Sequence, residues 1–378
     1  MKFSIVNADN YIAFAVLQQS LLVIMQQIMI SVLQMPEEST TIYRVLLTAM
    51  PLSVAIMISF FKKVFLFTIT YVFTVIILLF NVVLFPENSS FLRDDSLHFL
   101  LPVVIPSALC IMCVSSVKVV ENVLYKISWC VVILMIFYIG GLLSGRFIFE
   151  GYNMTLSYGL LLPTLSLYSR KHWYSICMAL FLWCIIVAIG SRGAAIIFAL
   201  YVCYDVFQYN KKLIFPFSIF VGICISFLPL FLEWLEKYGI HSRTLILLLT
   251  DDITSSSGRD YLYDKMLNVF WNNPIMGIGL WGDRTVLGGY CHNIILELYL
   301  NWGIIVASII LFVLIYILIK LYIKTNKEIK NMLVKYFLGT VVPLMASGSY
   351  LIDYNFGLFI GVLYLLSKEC RIGTIKGL

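Results

Sequence analysis

Long apolar runs separated by short polar breaks set the rhythm of this chain. A hydrocarbon core about 30 Å thick needs roughly 20 mainly apolar residues per helix, and such runs recur from Tyr11 to Leu366. The pattern predicts about twelve spans. They fall near 12–33, 42–61, 64–85, 97–116, 128–145, 156–169, 173–190, 193–209, 213–233, 293–319, 334–348 and 350–367. The sixth and eleventh are short for a crossing, so each is expected to be tilted, paired or re-entrant. The fold class is therefore all-α, a polytopic membrane helix bundle with one long loop. Three segments follow: helices 1–9 over residues 1–233, a loop over 234–292, and helices 10–12 with the C-terminus over 293–378.

Composition supports the same solvent. Hydrophobic residues make up 61% of the 378 and charged residues only 12%, against about 25% charged in a soluble domain. No basic cluster carries interleaved surface aromatics, so the net charge of +6 does not point to nucleic acid. Most of the nine Cys lie in apolar runs, where they behave as small buried hydrophobes. Cys110 and Cys113 form a CxxC inside an expected span and read as packing rather than redox or zinc chemistry. The start of the chain lacks the pattern of a cleaved leader, so its first apolar run is expected to remain as a helix. Asn88 and Asn153 head glycosylation sequons, a pattern common by chance.

Charge then gives an orientation. Cytoplasmic connections collect Lys and Arg, and alternate breaks here hold Lys62, Lys63, Lys118, Lys126, Arg170, Lys171, Lys211, Lys212 and the lysines from 320 to 335. This predicts both termini in the cytoplasm and the long loop outside. The outer set is mostly arginine: Arg44, Arg93, Arg146, Arg192, Arg243, Arg259 and Arg284. Arginine's planar fork suits phosphate, whereas arginines at helix ends also snorkel to the interface; the latter is the preferred reading for Arg44, Arg93 and Arg146.

Candidate chemistry concentrates in and around the loop. Ser257-Gly258-Arg259-Asp260 followed by Leu262, Met266, Val269 and Phe270 reads as a capped amphipathic helix whose apolar face lies on the membrane or covers the bundle. Arg259 falls in its first turn, where an anion is favoured; the competing reading is an exposed Arg paired with Asp260 or Asp264. Gly277 and Gly279 follow Pro274 in a tight turn. Tyr290-Cys291-His292-Asn293 stands at the mouth of an apolar run with Glu297 one turn inside. His292 is thus an interfacial imidazole able to exchange protons, although a lone interfacial His is more often structural. Arg192, between Ser191 and Gly193, interrupts two apolar runs, and charge at membrane depth marks function.

Ser191-Arg192-Gly193, Gly258-Arg259, Asn273-Pro274, Gly277-x-Gly279, His292-Asn293, Leu296-Glu297 and Gly303, in this order, resemble the O-antigen polymerase and ligase superfamily of bacterial envelope enzymes. Residues 1–150 match it only in being helical. The resemblance implies a glycosyltransferase on the periplasmic face of the bacterial cytoplasmic membrane. Its donor would be an undecaprenyl-diphosphate-linked oligosaccharide, and no metal or other cofactor is needed. It casts Arg192 and Arg259 as cations for the diphosphate and His292 as the base for an inverting transfer. Arg243 and Arg284 become further cations for phosphate or sugar, and Tyr290 or Glu297, by its nearness in sequence, orients His292. A chain-length regulator and a flippase of the same pathway are the implied partners, beside the bilayer. Polymerase is favoured over ligase by the divergent first half. The remaining alternatives are a flippase or transporter and a metal-assisted transferase using Asp94-Asp95.

Overall fold

The computed structural model describes residues 5–144, 153–189, 191–209, 230 and 259–376. These are helical, with no strand among them. The expected span at 213–233 lies outside the described residues save for position 230, as do Arg146 and Arg243. By internal contacts the chain forms two compact units, one of Met1–Ile12, Ala55–Val117 and Ser256–Leu378, the other of Ala13–Val54 and Lys118–Ser255.

The first part of the chain gives α1 (Ile5–Leu17), α2 (Gln19–Ser31), α3 (Glu37–Lys62) and α4 (Val64–Leu84). It continues with α5 (Ser89–Asp95), a π-helical stretch (Ser96–Val104), α6 (Ile105–Met112) and α7 (Val117–Leu143). Then come α8 (Met154–Ser169), α9 (Trp173–Ile189) and α10 (Arg192–Tyr209). After the undescribed stretch follow α11 (Arg259–Asn272), α12 (Gly282–Leu287), α13 (Ile294–Lys324), α14 (Lys327–Tyr336) and α15 (Tyr354–Lys376).

Among the described residues five stretches are long and apolar enough to cross a membrane, and six if the pair α1 and α2, bent by 45°, is one broken span. They are α3, α4, Pro86–Met112, α7 up to Leu142, and α13. Large apolar side chains line their outer surfaces: Phe73 and Phe80 on α4 are 63% and 64% exposed, and Phe312 on α13 is 70% exposed. Such faces need hydrocarbon around them, so this is a multi-pass membrane protein. Helices α8 and α9 occur where spans were expected, but with 16 and 17 residues they are short of a full crossing. The expected eleventh span is not one helix: α14 gives way to a π turn (Phe337–Val341) and a 3-10 turn (Val342–Met345) that contains Pro343, whose ring nitrogen has no hydrogen to donate.

In the unit holding residues 118–255, α8 packs on α2 and α9. Asn153 caps α8 by accepting from the Leu156 N–H, and its amide donates to Gln27. In the other unit α15 packs against α6.

The feature that positions the candidate site is a break in α13. Gly303 has φ 68° and ψ 176°, a conformation essentially confined to glycine. In a continuous helix the Ile304 N–H would donate to the Leu300 carbonyl. Here Leu300 O accepts from Ile278 N at 2.7 Å, and Ile304 N donates to Pro274 O at 2.8 Å. The turn after α11 is thus inserted into the gap and satisfies both groups. Gly277, at φ 71°, fits because it has no Cβ, which would lie 2.2 Å from Leu300 O; a Cβ on Gly303 would lie 1.9 Å from Ile275 O. Beyond the break, 304–324 spans roughly 30 Å at 1.5 Å per residue, a membrane thickness by itself. Gly303→Ala should therefore lower the thermal unfolding midpoint in detergent, by at least about 1–3 kcal/mol of stability from the strained conformation alone; an unchanged midpoint would show that the break can close.

Candidate active site

Helix α11 begins at Arg259 and buries one face. Met266 and Phe270 are buried and pack with Cys291 and Leu300, flanked by Val269, Ile278, Val286 and Leu296. The expected amphipathic face therefore covers the start of α13, while Tyr261 and Trp271 point outward. Lys265 donates to Val286 O at 3.1 Å, tying α11 to α12.

Helix α12 starts from Trp281, fully buried with φ 62°, and carries the centre of the site's electrostatics. Arg284 is 4% exposed and every branch of its guanidinium is engaged. Nε donates to Asp95 at 3.2 Å, Nη2 to Ser349 at 2.8 Å, and Nη1 to both Asp283 at 2.8 Å and Glu297 at 3.0 Å. The Ser349 hydroxyl donates to Glu297, whose other oxygen accepts from Tyr350 N at 3.4 Å. Burial works to lower the Arg284 pKa, but Asp283 and Glu297 more than offset it and the net shift is upward. The hub joins the end of α5, the start of α12, the first turn of α13 and the turn before α15.

Two asparagines hold the approach to α12. Asn81 accepts from Leu280 N at 2.8 Å. Asn88, 1% exposed, donates to Ile278 O at 2.7 Å and accepts from the Thr285 hydroxyl at 2.8 Å. The Asn88 sequon amide is therefore an internal brace.

His292 follows directly. Its backbone is left-handed, φ 57°, and its ring lies 4.4 Å from that of Tyr290, centroid to centroid. Nδ1 is buried without a hydrogen-bond partner. Asn293 caps α13 by accepting from the N–H groups of Ile295 and Leu296. Burial, and next the positive charge of Arg259, push the His292 pKa below its ordinary 6.5, with Asp283 pulling the other way. A neutral imidazole near a cation results. Burial likewise raises the Tyr290 and Cys291 pKa values, so both stay protonated at neutral pH.

Of the residues singled out in the sequence, Arg259, Arg284, Tyr290, His292 and Glu297 belong to this unit. Arg284, expected as a cation for phosphate or sugar, is buried among protein carboxylates, and Glu297 reaches Arg284 and Ser349. Arg192 opens α10 in the other unit, where Gly193 leaves room for the Tyr158 hydroxyl. The Asp94-Asp95 pair does not act together: Asp95 binds Arg284, while Asp94 meets Arg93 at 3.2 Å in solvent. Asp283, Ser349 and Asn81 were not singled out, and Asp95 only as half of the Asp94-Asp95 pair. The only sequence signal for Asn81 was an amide in an otherwise apolar run.

Removing Arg284 would strand buried carboxylates, a loss of about 3–5 kcal/mol for a broken buried pair. Arg284→Ala should lower the unfolding midpoint sharply, and Arg284→Lys should not restore it because one ammonium cannot reproduce the fork. Equal midpoints for Arg284→Lys and wild type would contradict the hub.

A family model described as O-antigen ligase matches residues 177–311. The match takes in Arg192, α11, the inserted turn, α12 and the break in α13. No curated protein and no solved structure matches the chain. This stretch, which carries the ordered motifs together with the turn that presents His292, supports the resemblance to the O-antigen polymerase and ligase superfamily.

Proposed function

We propose that the protein is an O-antigen polymerase, joining undecaprenyl-diphosphate-linked oligosaccharides on the outer face of the bacterial cytoplasmic membrane, with both termini in the cytoplasm. The observation that carries this reading is the left-handed His292 turn, with the ring 4.4 Å from that of Tyr290 and its buried Nδ1 without a hydrogen-bond partner, inside the stretch that matches the family. His292 takes the proton from an acceptor sugar hydroxyl. The freed oxygen attacks the anomeric carbon of the donor, the bond from that carbon to the diphosphate oxygen breaks, and undecaprenyl diphosphate leaves with the electron pair. Attack opposite the leaving group inverts the anomeric centre. Arg259 stabilises the charge that develops on the diphosphate. A diphosphate leaves readily once its charge is met, so this scheme uses neither metal nor nucleotide. Tyr290 restricts the His292 ring and offers an aromatic surface for sugar. The chain-length regulator and flippase of the pathway are the proposed partners.

The description of the matching family favours a second reading, a ligase that transfers the glycan to the lipid A core. Both share the chemistry and differ in acceptor. Surface lipopolysaccharide from a strain lacking the gene separates them. Core plus a single repeat in place of the ladder supports the polymerase, bare core with polymer left on the carrier supports the ligase, and an unchanged ladder contradicts both.

The protonation argument gives a signed prediction. Transfer needs neutral His292, so its rate should fall as pH drops through the His292 pKa. The Arg259 charge holds that pKa down; Arg259→Gln should move the acid limb of the residual activity to higher pH. A limb that stays in place would remove Arg259 from the surroundings of the base.

A further inference from the structure

We propose that Asp283 is a positioning residue for the His292 base, fixing the turn that carries the imidazole by binding Arg284 with one carboxylate oxygen and the Cys291 amide with the other. This rests on the assignment of His292 as the base.

The geometry is specific. Asp283 is fully buried. Its Oδ1 accepts from Arg284 Nη1 at 2.8 Å and its Oδ2 accepts from Cys291 N at 3.1 Å. Arg284 is in turn fixed by Asp95, Glu297 and Ser349, so the anchor has no slack. On the far side of His292, Asn293 is held by two N–H groups of α13. The base is thus one left-handed residue clamped between two pinned neighbours, with the Tyr290 ring restricting its side chain. Tyr290 itself lies against the hub, 5.9 Å from the Arg284 guanidinium carbon.

A role only as counter-ion to Arg284 explains less. Asp95, partly exposed, and Glu297 already supply two carboxylates to one guanidinium, and a further, fully buried acid adds uncompensated charge at considerable desolvation cost. Its contact with Cys291, one residue before the base, accounts for its presence. Asp283 also faces His292 electrostatically from α12, opposite in sign to Arg259 on α11. Behind Tyr290 stand Arg284, Glu297 and Asp353.

The test compares Asp283→Ala and Asp283→Asn in the full-length protein. Asn keeps an oxygen for the Cys291 amide but loses the charge. Two readouts are taken: kcat and KM for glycan transfer, and the pH midpoint of His292 carbethoxylation by diethyl pyrocarbonate, followed on the peptide that contains it. Asp283→Ala should lower kcat on the order of 10²-fold, as expected when a reacting group is misplaced by about 1 Å, with KM little changed. Both variants should move the His292 midpoint to lower pH, because a negative charge that favoured the imidazolium is gone. Asp283→Asn should keep more of kcat than Asp283→Ala. Wild-type kcat in Asp283→Ala, or a kcat loss with the midpoint unmoved in both variants, would overturn the proposal. Full activity in His292→Ala would overturn the base assignment and, with it, the role of Asp283; the carbethoxylation midpoints tell that failure apart from failure of the Asp283 contact alone.

Discussion

A guanidinium buried among three carboxylates is the constraint on which this half of the protein depends. Taken alone, an ion in a low-dielectric interior is costly, and so is each acid around it. Together, and with every branch of the fork satisfied, Arg284 binds four separate chain segments into one rigid point: Asp95 at the end of α5, Asp283 beside it on α12, Glu297 on α13 and Ser349 ahead of α15. Planar donors with fixed directions allow little sliding. The turn from Gly288 to Asn293 springs from this point, and the imidazole inherits its stiffness.

A second constraint sets where that point sits along α13. By exchanging its own i to i−4 bond for two bonds to the 274–278 turn, α13 opens at Gly303 with the Leu300 carbonyl and the Ile304 N–H both paired, which matters most where no water can fill the gap. The nine residues before the break belong with α11 and α12; those after it are long enough to cross the bilayer. One helix therefore serves as both membrane anchor and floor of the candidate site. Gly277, which reads in the sequence as part of a tight turn, and Gly303 are, in the fold, the two faces of a backbone-to-backbone contact.

The helices were largely legible because hydrocarbon imposes a simple rule on composition, and α3 and α4 lie close to the expected apolar runs, whereas α7 starts at Val117, ahead of the expected 128, and takes in Lys118 and Lys126. The rule fails where the interior is polar: the run at 334–348 looks uniform in hydropathy, yet Pro343 and the hub at Ser349 break it. Arg259 was placed at a helix start by the residues before it, and His292 at a helix mouth by the long apolar run that follows it. The hub was not legible. Asp95 and Arg284 are separated by 189 positions, and no local pattern tells a buried arginine from one that meets phosphate. Glu297 stood near His292 in sequence, but its place in the first turn of α13 directs it to Arg284 and Ser349.

The central claim is that the His292 turn performs glycosyl transfer from a lipid diphosphate with side chains alone. Its most direct test is transfer by the purified protein in the presence of EDTA, using an undecaprenyl-diphosphate oligosaccharide as donor and reading release of undecaprenyl diphosphate. The account predicts product and release in wild type and neither in His292→Ala protein that retains its unfolding midpoint. Activity that requires an added divalent ion, or that survives loss of the imidazole, would contradict it.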